Sequence, residues 1–253
     1  MQPGFSFRPL PGLTAAALVA LGLLVTLGVW QLERRAWKLD LIATVEARIA
    51  LAPVPIETLE QAGTPQSALA YRPAVVAGRF DHARTRYLFV GNGPAGAPGF
   101  DVLTPLLRAA GPPILIDRGF VPQSLKAPEA RAGSEPEGLV TVQGIVRSGT
   151  PAHGFIPKGE HQGAVWYSRD LEGLGTAMGL ELAPFLIEAG ASPNPGGWPL
   201  GGQTRIELRN AHLGYAITWF GLAIALCVVY LLYHRKVGRL TLPGRAASTR
   251  SEP

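Results

Sequence analysis

Apolar residues are distributed along this chain in two regimes. Two uninterrupted runs, Leu13 to Trp30 and Leu213 to Tyr233, flank a central region where apolar and polar residues alternate. The second run holds about twenty-one uncharged residues, which at helical rise covers roughly 30 Å, the hydrocarbon thickness of a bilayer. The first is about eighteen residues long, too long for a signal-peptide core, and no small-x-small cleavage site follows it; an uncleaved span is expected. Beyond Trp30 the pattern becomes amphipathic: Trp30, Gln31, Arg34, Trp37, Lys38, Leu41 and Val45 keep helical spacing to about Leu51. The helix is therefore expected to run out of the bilayer until Pro53 and Pro55 end it.

From Tyr71 the period falls to two and β-formers gather in seven runs: Tyr71 to Phe80, Thr85 to Val90, Phe100 to Pro105, Pro113 to Phe120, Leu139 to Arg147, Ala164 to Ser168 and Phe185 to Glu188. Gly, Pro, Asn or Asp bounds each run, and the short spacing predicts a mainly antiparallel sheet curled into a sandwich or barrel. Asp170 to Met178 is expected to be a short helix with Asp170 as its cap. Ser192 to Gly202 is too rich in Pro and Gly to be regular and is expected to link into the second span. The resulting fold class is a membrane protein of α+β type, with two transmembrane helices flanking a mainly antiparallel β extramembrane domain. The expected divisions are an amino end (1–12), spans at 13–30 and 213–233, an outer region at 31–209 and a basic tail at 234–253, disordered from Leu242 on.

Composition supports this division. The chain is 47% hydrophobic and 16% charged, apolar for a soluble protein of this length, and the spans account for the excess. The net charge of +5 reflects basic ends: Arg235, Lys236, Arg239, Arg245 and Arg250 in the tail are opposed only by Glu252, and Arg8 lies in the amino end. That charge says little about nucleic acid, and none is expected as a partner. Basic residues just past a span stay cytoplasmic, so both termini are expected inside and the region from about residue 40 to 209 outside. Arg34, Arg35 and Lys38 locally favour the reverse, but a long domain translocates largely regardless of its charge. The single cysteine, Cys227, lies within the second span, so no intrachain disulfide or multi-thiolate metal site is available.

Enzymatic motifs are absent. Gly91-Asn92-Gly93-Pro94-Ala95-Gly96 matches a dinucleotide-binding fingerprint by letter, but no helical pattern follows, and Pro94 and Pro98 point to a loop between strands. His82, His153 and His161 have no metal-ligand spacing and read as surface residues. Asp117 and Glu188 read as paired structural charges rather than a catalytic couple. The chain is not expected to be an enzyme.

The mouth of the second span is more informative. On a helix, His212, Tyr215, Ala216 and Trp219 fall at i, i+3, i+4 and i+7, placing an imidazole, a phenol and an indole on one face that can line a flat ligand. The plainer alternative is an interfacial belt, in which Tyr and Trp anchor at the head groups and His212 bonds backbone or lipid. Trp30, Arg34 and Lys38 likewise read either as a ligand rim or as an ordinary anchoring belt of aromatic and basic residues.

Gly28-Val29-Trp30-Gln31-Leu32-Glu33-Arg34-Arg35-Ala36-Trp37-Lys38 and Asn210-Ala211-His212-Leu213-Gly214-Tyr215-Ala216-Ile217-Thr218-Trp219-Phe220 together resemble the surfeit locus protein 1 family. Gly78-Arg79-Phe80-Asp81 and Asp117-Arg118-Gly119-Phe120-Val121-Pro122 look like its internal motifs, with Asp117 and Phe120 where the family usually shows Asn and Trp, and Arg209 where Pro is common. The resemblance implies an assembly factor for haem-copper cytochrome c oxidase in the bacterial inner membrane. It further implies that haem a is bound transiently and delivered to subunit I, with haem a synthase a further candidate partner and the lipid bilayer as surroundings. His212 would be the haem-iron ligand, Tyr215 and Trp219 would contact the macrocycle beside Trp30, and Arg34 and Lys38 would pair with the propionates. The competing reading is a haem-free scaffold that stabilises nascent oxidase subunits.

Overall fold

The structure is a computed structural model and describes residues 6–151, 165–204 and 210–241. In chain order its elements are β1 (Ser6–Phe7), α1 (Pro11–Ile49), β2 (Val54–Pro55), α2 (Ile56–Gln61), α3 (Gln66–Leu69), β3 (Pro73–Phe80), β4 (Arg86–Val90) and β5 (Gly99–Leu107). There follow β6 (Ile114–Pro122), β7 (Val140–Ser148), β8 (Val165–Trp166), α4 (Leu171–Met178), β9 (Phe185–Ala189), α5 (His212–Lys236) and β10 (Leu240–Thr241). The chain separates into two compact units, residues 1–43 with 208–253, and residues 44–207.

The first unit is built on α1 and α5, which at helical rise are about 58 Å and 37 Å long, enough to cross a bilayer. They run antiparallel: Thr14 Oγ1 lies 2.6 Å from the Tyr230 hydroxyl at one end, and Gln31 meets His212 at the other. The sheltered positions of α1 include Thr14, Ala17, Leu21, Leu24, Gly28 and Gln31, spaced by threes and fours. Those of α5 include Ala216 and Ala223, both buried. Small residues let the two helices approach: a Cβ at Gly28 would lie 2.7 Å from the Phe220 ring. The remaining faces are apolar and open, as Val19 (74%), Leu23 (60%) and Ile224 (66%) show. A helix pair that is apolar all round over residues 13–30 and 213–233 and buries only one seam there is matched to lipid, and the protein is a membrane protein.

Beyond the apolar stretch, α5 ends in His234, Arg235 and Lys236, cations that suit the negative end of the helix dipole. His234 is fully buried; its Nδ1 donates to the Tyr230 carbonyl at 2.9 Å and its Nε2 accepts the Leu10 N–H at 3.3 Å. Just past it, β10 pairs antiparallel with β1 through Ser6↔Thr241 and Phe7↔Leu240. These two-residue strands carry no periodicity, so nothing in the sequence marks the amino end or the start of the tail as paired. The expected disorder from Leu242 on lies outside the described residues.

In the second unit β3, β7, β9, β6 and β5 form a ring that closes where Arg79↔Leu107 and Phe80↔Leu106 pair β3 with β5. The ring is a closed barrel, mostly antiparallel, with the single parallel contact β6–β9; β2 joins it alongside β3, and β4 and β8 extend from β5. Gly78 makes closure possible. It is the last β3 residue paired with β7, and a Cβ there would lie 2.5 Å from the Leu107 carbonyl oxygen.

Alternation along each strand divides the core in two. Ala74, Val76, Leu106, Ile114, Ile116, Val146, Phe185 and Ile187 come from all five ring strands and fill the barrel, joined by Ile56 and Leu59 of α2 and Leu69 of α3. On the opposite face, Leu88, Leu103, Leu115 and Leu186 are covered by Trp166 and by Leu174 and Met178 of α4. Each such Leu or Ile contributes about 1.5–3 kcal/mol relative to exposure. The seven expected strand runs correspond to β3 to β9, with Ala164 outside the described residues. Asp170 caps α4, accepting the Gly173 N–H at 3.3 Å, and Gly179 ends the helix at φ +65°.

Two loop expectations change. Residues 192–202 are irregular, as their Pro and Gly content predicts, but Leu200 exchanges backbone hydrogen bonds of 2.9 and 3.0 Å with Phe120, so this segment is part of the barrel's packing. His82, expected at the surface, is half-buried in a turn, with Nε2 3.0 Å from the Pro136 carbonyl and its ring beside Phe80. His153 and His161 lie outside the described residues. Gly91–Gly96 is a loop with one tight turn at Pro94–Gly96, which leaves no helix start for a phosphate.

Candidate functional site

His212 is the first residue of α5 and is half-buried. Its Nδ1 lies 2.8 Å from Oε1 of Gln31, which is buried in the α1 seam. An amide oxygen only accepts, so Nδ1 carries the proton and Nε2 carries the lone pair. A partner on one ring nitrogen that fixes the donor atom on the other is the arrangement metal-binding histidines use. Among the described residues no group of three or more His, Cys, Asp or Glu is placed to hold a metal ion.

The face expected around His212 is divided in the structure. Ala216, one turn on, is 1% exposed in the seam, and Trp219 is half-buried along the same line. Tyr215 is 59% exposed and points outward, because the i+3 position lies off the line that packs against α1. Trp30 is likewise half exposed, and the α1 residue at His212 is its neighbour Gln31, about 100° further round the helix. Arg34 is exposed with its guanidinium stacked 3.8 Å from the Trp37 ring, while Lys38, two turns beyond Gln31, is half-buried. The structure therefore joins His212 to Gln31, which the sequence reading did not single out. The signal was present in the three-and-four spacing that carries Gly28 into Gln31.

The internal motifs meet in the barrel. Arg118 is 2% exposed; it stands 4.9 Å over the Phe80 ring and donates to the Ser134 carbonyl and to Asn194 Oδ1. Burial first, and then the neighbouring Arg131, push its guanidinium down to about 10, so it remains charged near neutrality. Gly119 adopts φ +112°, and a Cβ there would lie 2.0 Å from the Leu200 carbonyl oxygen. The Phe120 ring packs on Gly93 and Gly99, where any Cβ would meet it within 2.5 Å.

Asp117 points to the opposite face from Arg118 and pairs in register with Glu188 across β6 and β9. Both reach Arg169: Nη2 is 3.1 Å from Asp117 Oδ2 and 3.7 Å from Asp101 Oδ2, and Nη1 is 2.9 Å from Glu188 Oε1. Burial on its own would lower the Arg169 guanidinium, but Asp117, Glu188 and Asp101 outweigh it and the net direction is up. Asp117 is pushed up to about 8, first by burial and then by Asp101, against the lowering effect of Arg169. The expected structural pairing of Asp117 and Glu188 thus runs through a shared arginine.

Comparison with known proteins matches residues 18–224 to the SURF1 family. Surfeit locus protein 1 of Homo sapiens is 38% identical over 216 residues, covering 79% of this chain and 70% of that protein. Surfeit locus protein 1 of Rattus norvegicus is 36% identical over 229 residues, covering 84% and 72%. The SURF1-like protein of Monosiga brevicollis is 35% identical over 223 residues, covering 84% of each chain. A match that takes in the first helix, the barrel and the His212 end of the second, with relatives at this identity over most of their length, shows that the chain belongs to the SURF1 family.

Proposed function

We propose that this chain assists assembly of a haem-copper cytochrome c oxidase in the bacterial inner membrane, holding haem a through His212 for insertion into subunit I. The observation that carries this reading is the bond between His212 Nδ1 and Gln31 Oε1, which commits the proton to Nδ1 and keeps the Nε2 lone pair for a metal. No described residue is seen to hydrogen-bond Nε2, so this nitrogen would be the one to hold the iron. When bound, haem a supplies an iron that takes such a nitrogen ligand. Trp219, Tyr215 and Trp30 offer ring faces near this end of the helix pair, and Lys38 and Arg34 offer cations for propionates, Arg34 at the expense of its stacking on Trp37. A single protein ligand suits a carrier, which must also release its cargo. The chain acts here as a chaperone rather than an enzyme, with both termini cytoplasmic, the barrel periplasmic, and subunit I and haem a synthase as partners.

Purification in detergent from cells that make haem a tests the reading. The expected result is a Soret band that disappears in His212→Ala while the protein stays inserted and folded. A band of full intensity in His212→Ala rejects this site. Absence of any band, with oxidase assembly still dependent on the chain, replaces the carrier by a haem-free scaffold.

A further inference from the structure

The outward face of the barrel carries a second constellation that the haem reading leaves unused. Three carboxylates, Asp101, Asp117 and Glu188, converge on the one guanidinium of Arg169. A further described cation, Arg147, lies over the Tyr71 ring at 4.5 Å and stands 3.7 Å from Glu188 Oε2, beyond hydrogen-bonding distance. Glu188 is 5% exposed and Arg169 takes its Oε1, yet its Oε2 has no hydrogen-bond partner; Ser168, 6% exposed, has an unpartnered Oγ. Both line a cavity of about 440 Å³ whose wall includes Phe89 and Tyr167, exposed aromatic residues with ring centroids 5.8 Å apart.

We propose that this cavity binds an organic cation, a primary ammonium or guanidinium group on a short apolar stem, with Glu188 Oε2 and Ser168 Oγ accepting its N–H groups and Phe89 and Tyr167 packing on the stem. A buried carboxylate oxygen is costly without a donor, and a carboxylate beside aromatic faces favours a positively charged group. A metal ion suits the site poorly, because Arg169 already occupies the point where the carboxylates converge. The raised Asp117 supports the assignment: Arg169 favours its ionised form, but burial, Asp101 and Glu188 outweigh that, so the cluster retains a proton that a further cation can displace. With Arg147 3.7 Å from Glu188 Oε2 and Asp117 and Asp101 both at Arg169, an arriving cation lowers Asp117 and releases that proton. A free small amine and a lysine or arginine side chain of a partner polypeptide share this chemistry.

Titration calorimetry on the detergent-purified full chain at pH 7 and fixed ionic strength, with n-butylammonium, n-butylguanidinium, butyrate and butanol, tests the proposal. The two cations are expected to bind and the anion and alcohol not, with heats that vary with buffer ionisation enthalpy because up to about one proton is released. Glu188→Gln is expected to weaken binding about tenfold. Tyr167→Ala, an exposed position that leaves folding intact, is expected to weaken it about two- to fivefold. Arg147→Gln removes a competing cation and is expected to leave affinity unchanged or raise it. Butyrate binding in preference to the cations, loss of binding in Arg147→Gln, or no cation binding at millimolar concentration overturns the proposal. A short blocked peptide containing lysine completes the test: tighter binding than n-butylammonium identifies a polypeptide source, and equal binding a free amine.

Discussion

Gln31 Oε1 accepts a hydrogen bond from His212 Nδ1 at 2.8 Å, so two residues 181 positions apart in the chain fix each other at one end of the helix pair. Gln31→Leu keeps the seam filled but removes the acceptor, leaving His212 free to exchange tautomers and rotate. The expected result is haem a affinity lowered about tenfold, the lower end of what loss of a ligand's orienting partner costs, with a shifted Soret maximum. Absorbance titration of the purified variant measures both. An unchanged spectrum and affinity would mean that His212 is not the ligand or does not need orientation.

The positions of the remaining candidates set an order of effects. Trp219→Ala removes a half-buried ring on the His212 line and is expected to weaken haem a binding more than Arg34→Ala, whose guanidinium is already engaged by Trp37. Lys38→Ala is expected to cost roughly fivefold, the value of a single charge-assisted contact at a wet rim. Binding curves for the three variants, set beside His212→Ala, check the ranking.

Gly28 and Phe220 form a complementary pair at the seam. Gly28→Val drives branched carbons into a ring that already lies 2.7 Å from the Cβ position, and is expected to lower the unfolding midpoint by the equivalent of about 1–3 kcal/mol. Phe220→Ala in the same chain makes room and is expected to recover part of that loss. A double-mutant cycle by thermal unfolding in detergent measures the coupling.

Gly119 has the tightest surroundings of the described glycines. Gly119→Ala places a Cβ 2.0 Å from the Leu200 carbonyl oxygen in a backbone conformation, φ +112°, that side chains rarely adopt. The expected cost is about 3 kcal/mol or more, read as loss of folded protein in denaturant titration. Gly138→Ala, with φ +84° but nothing near its Cβ, is expected to cost less, which separates the steric part from the conformational part.

Sequence reading located the strands and missed much of the site, for a physical reason in each case. A barrel filled by Ile114 and Ile116 on one face and covered over Leu115 on the other needs β-forming residues at every ring strand, so the runs from Tyr71 to Glu188 stand out. Strands β1, β2 and β10 have two residues each and carry no period, and α2 and α3 are brief turns started by Pro55 and Pro65. Asp170 was legible as a cap because its chemistry is local. Gln31 was not, since a polar residue just past an apolar run looks like an exit to solvent until α5 presents a histidine to it. The same holds for the meeting of Asp101, Asp117, Arg169 and Glu188, which depends on strand pairing across more than eighty residues of chain.

Asp117 makes the barrel's stability depend on pH in a direction opposite to that of most paired carboxylates. Its folded-state pKa of about 8 lies above the 3.8 of the unfolded chain, chiefly because burial disfavours the charged form. Below 3.8 the group is protonated in both states and its contribution is fully present. Between these values the unfolded chain has lost the proton and the folded barrel retains it, so stability falls as pH rises, and the loss is complete once pH passes about 8. The midpoint of thermal unfolding is therefore expected to decline from about pH 5 to about pH 8 and then level. Asp117→Asn removes the titration while its amide oxygen can still accept the Gly119 N–H, now 3.1 Å from Oδ1. The variant is expected to flatten the profile and to exceed the parent in stability at pH 8 and above. A parent midpoint that instead rises through this range would show that Asp117 is ionised in the folded barrel, with Arg169 outweighing burial, Asp101 and Glu188.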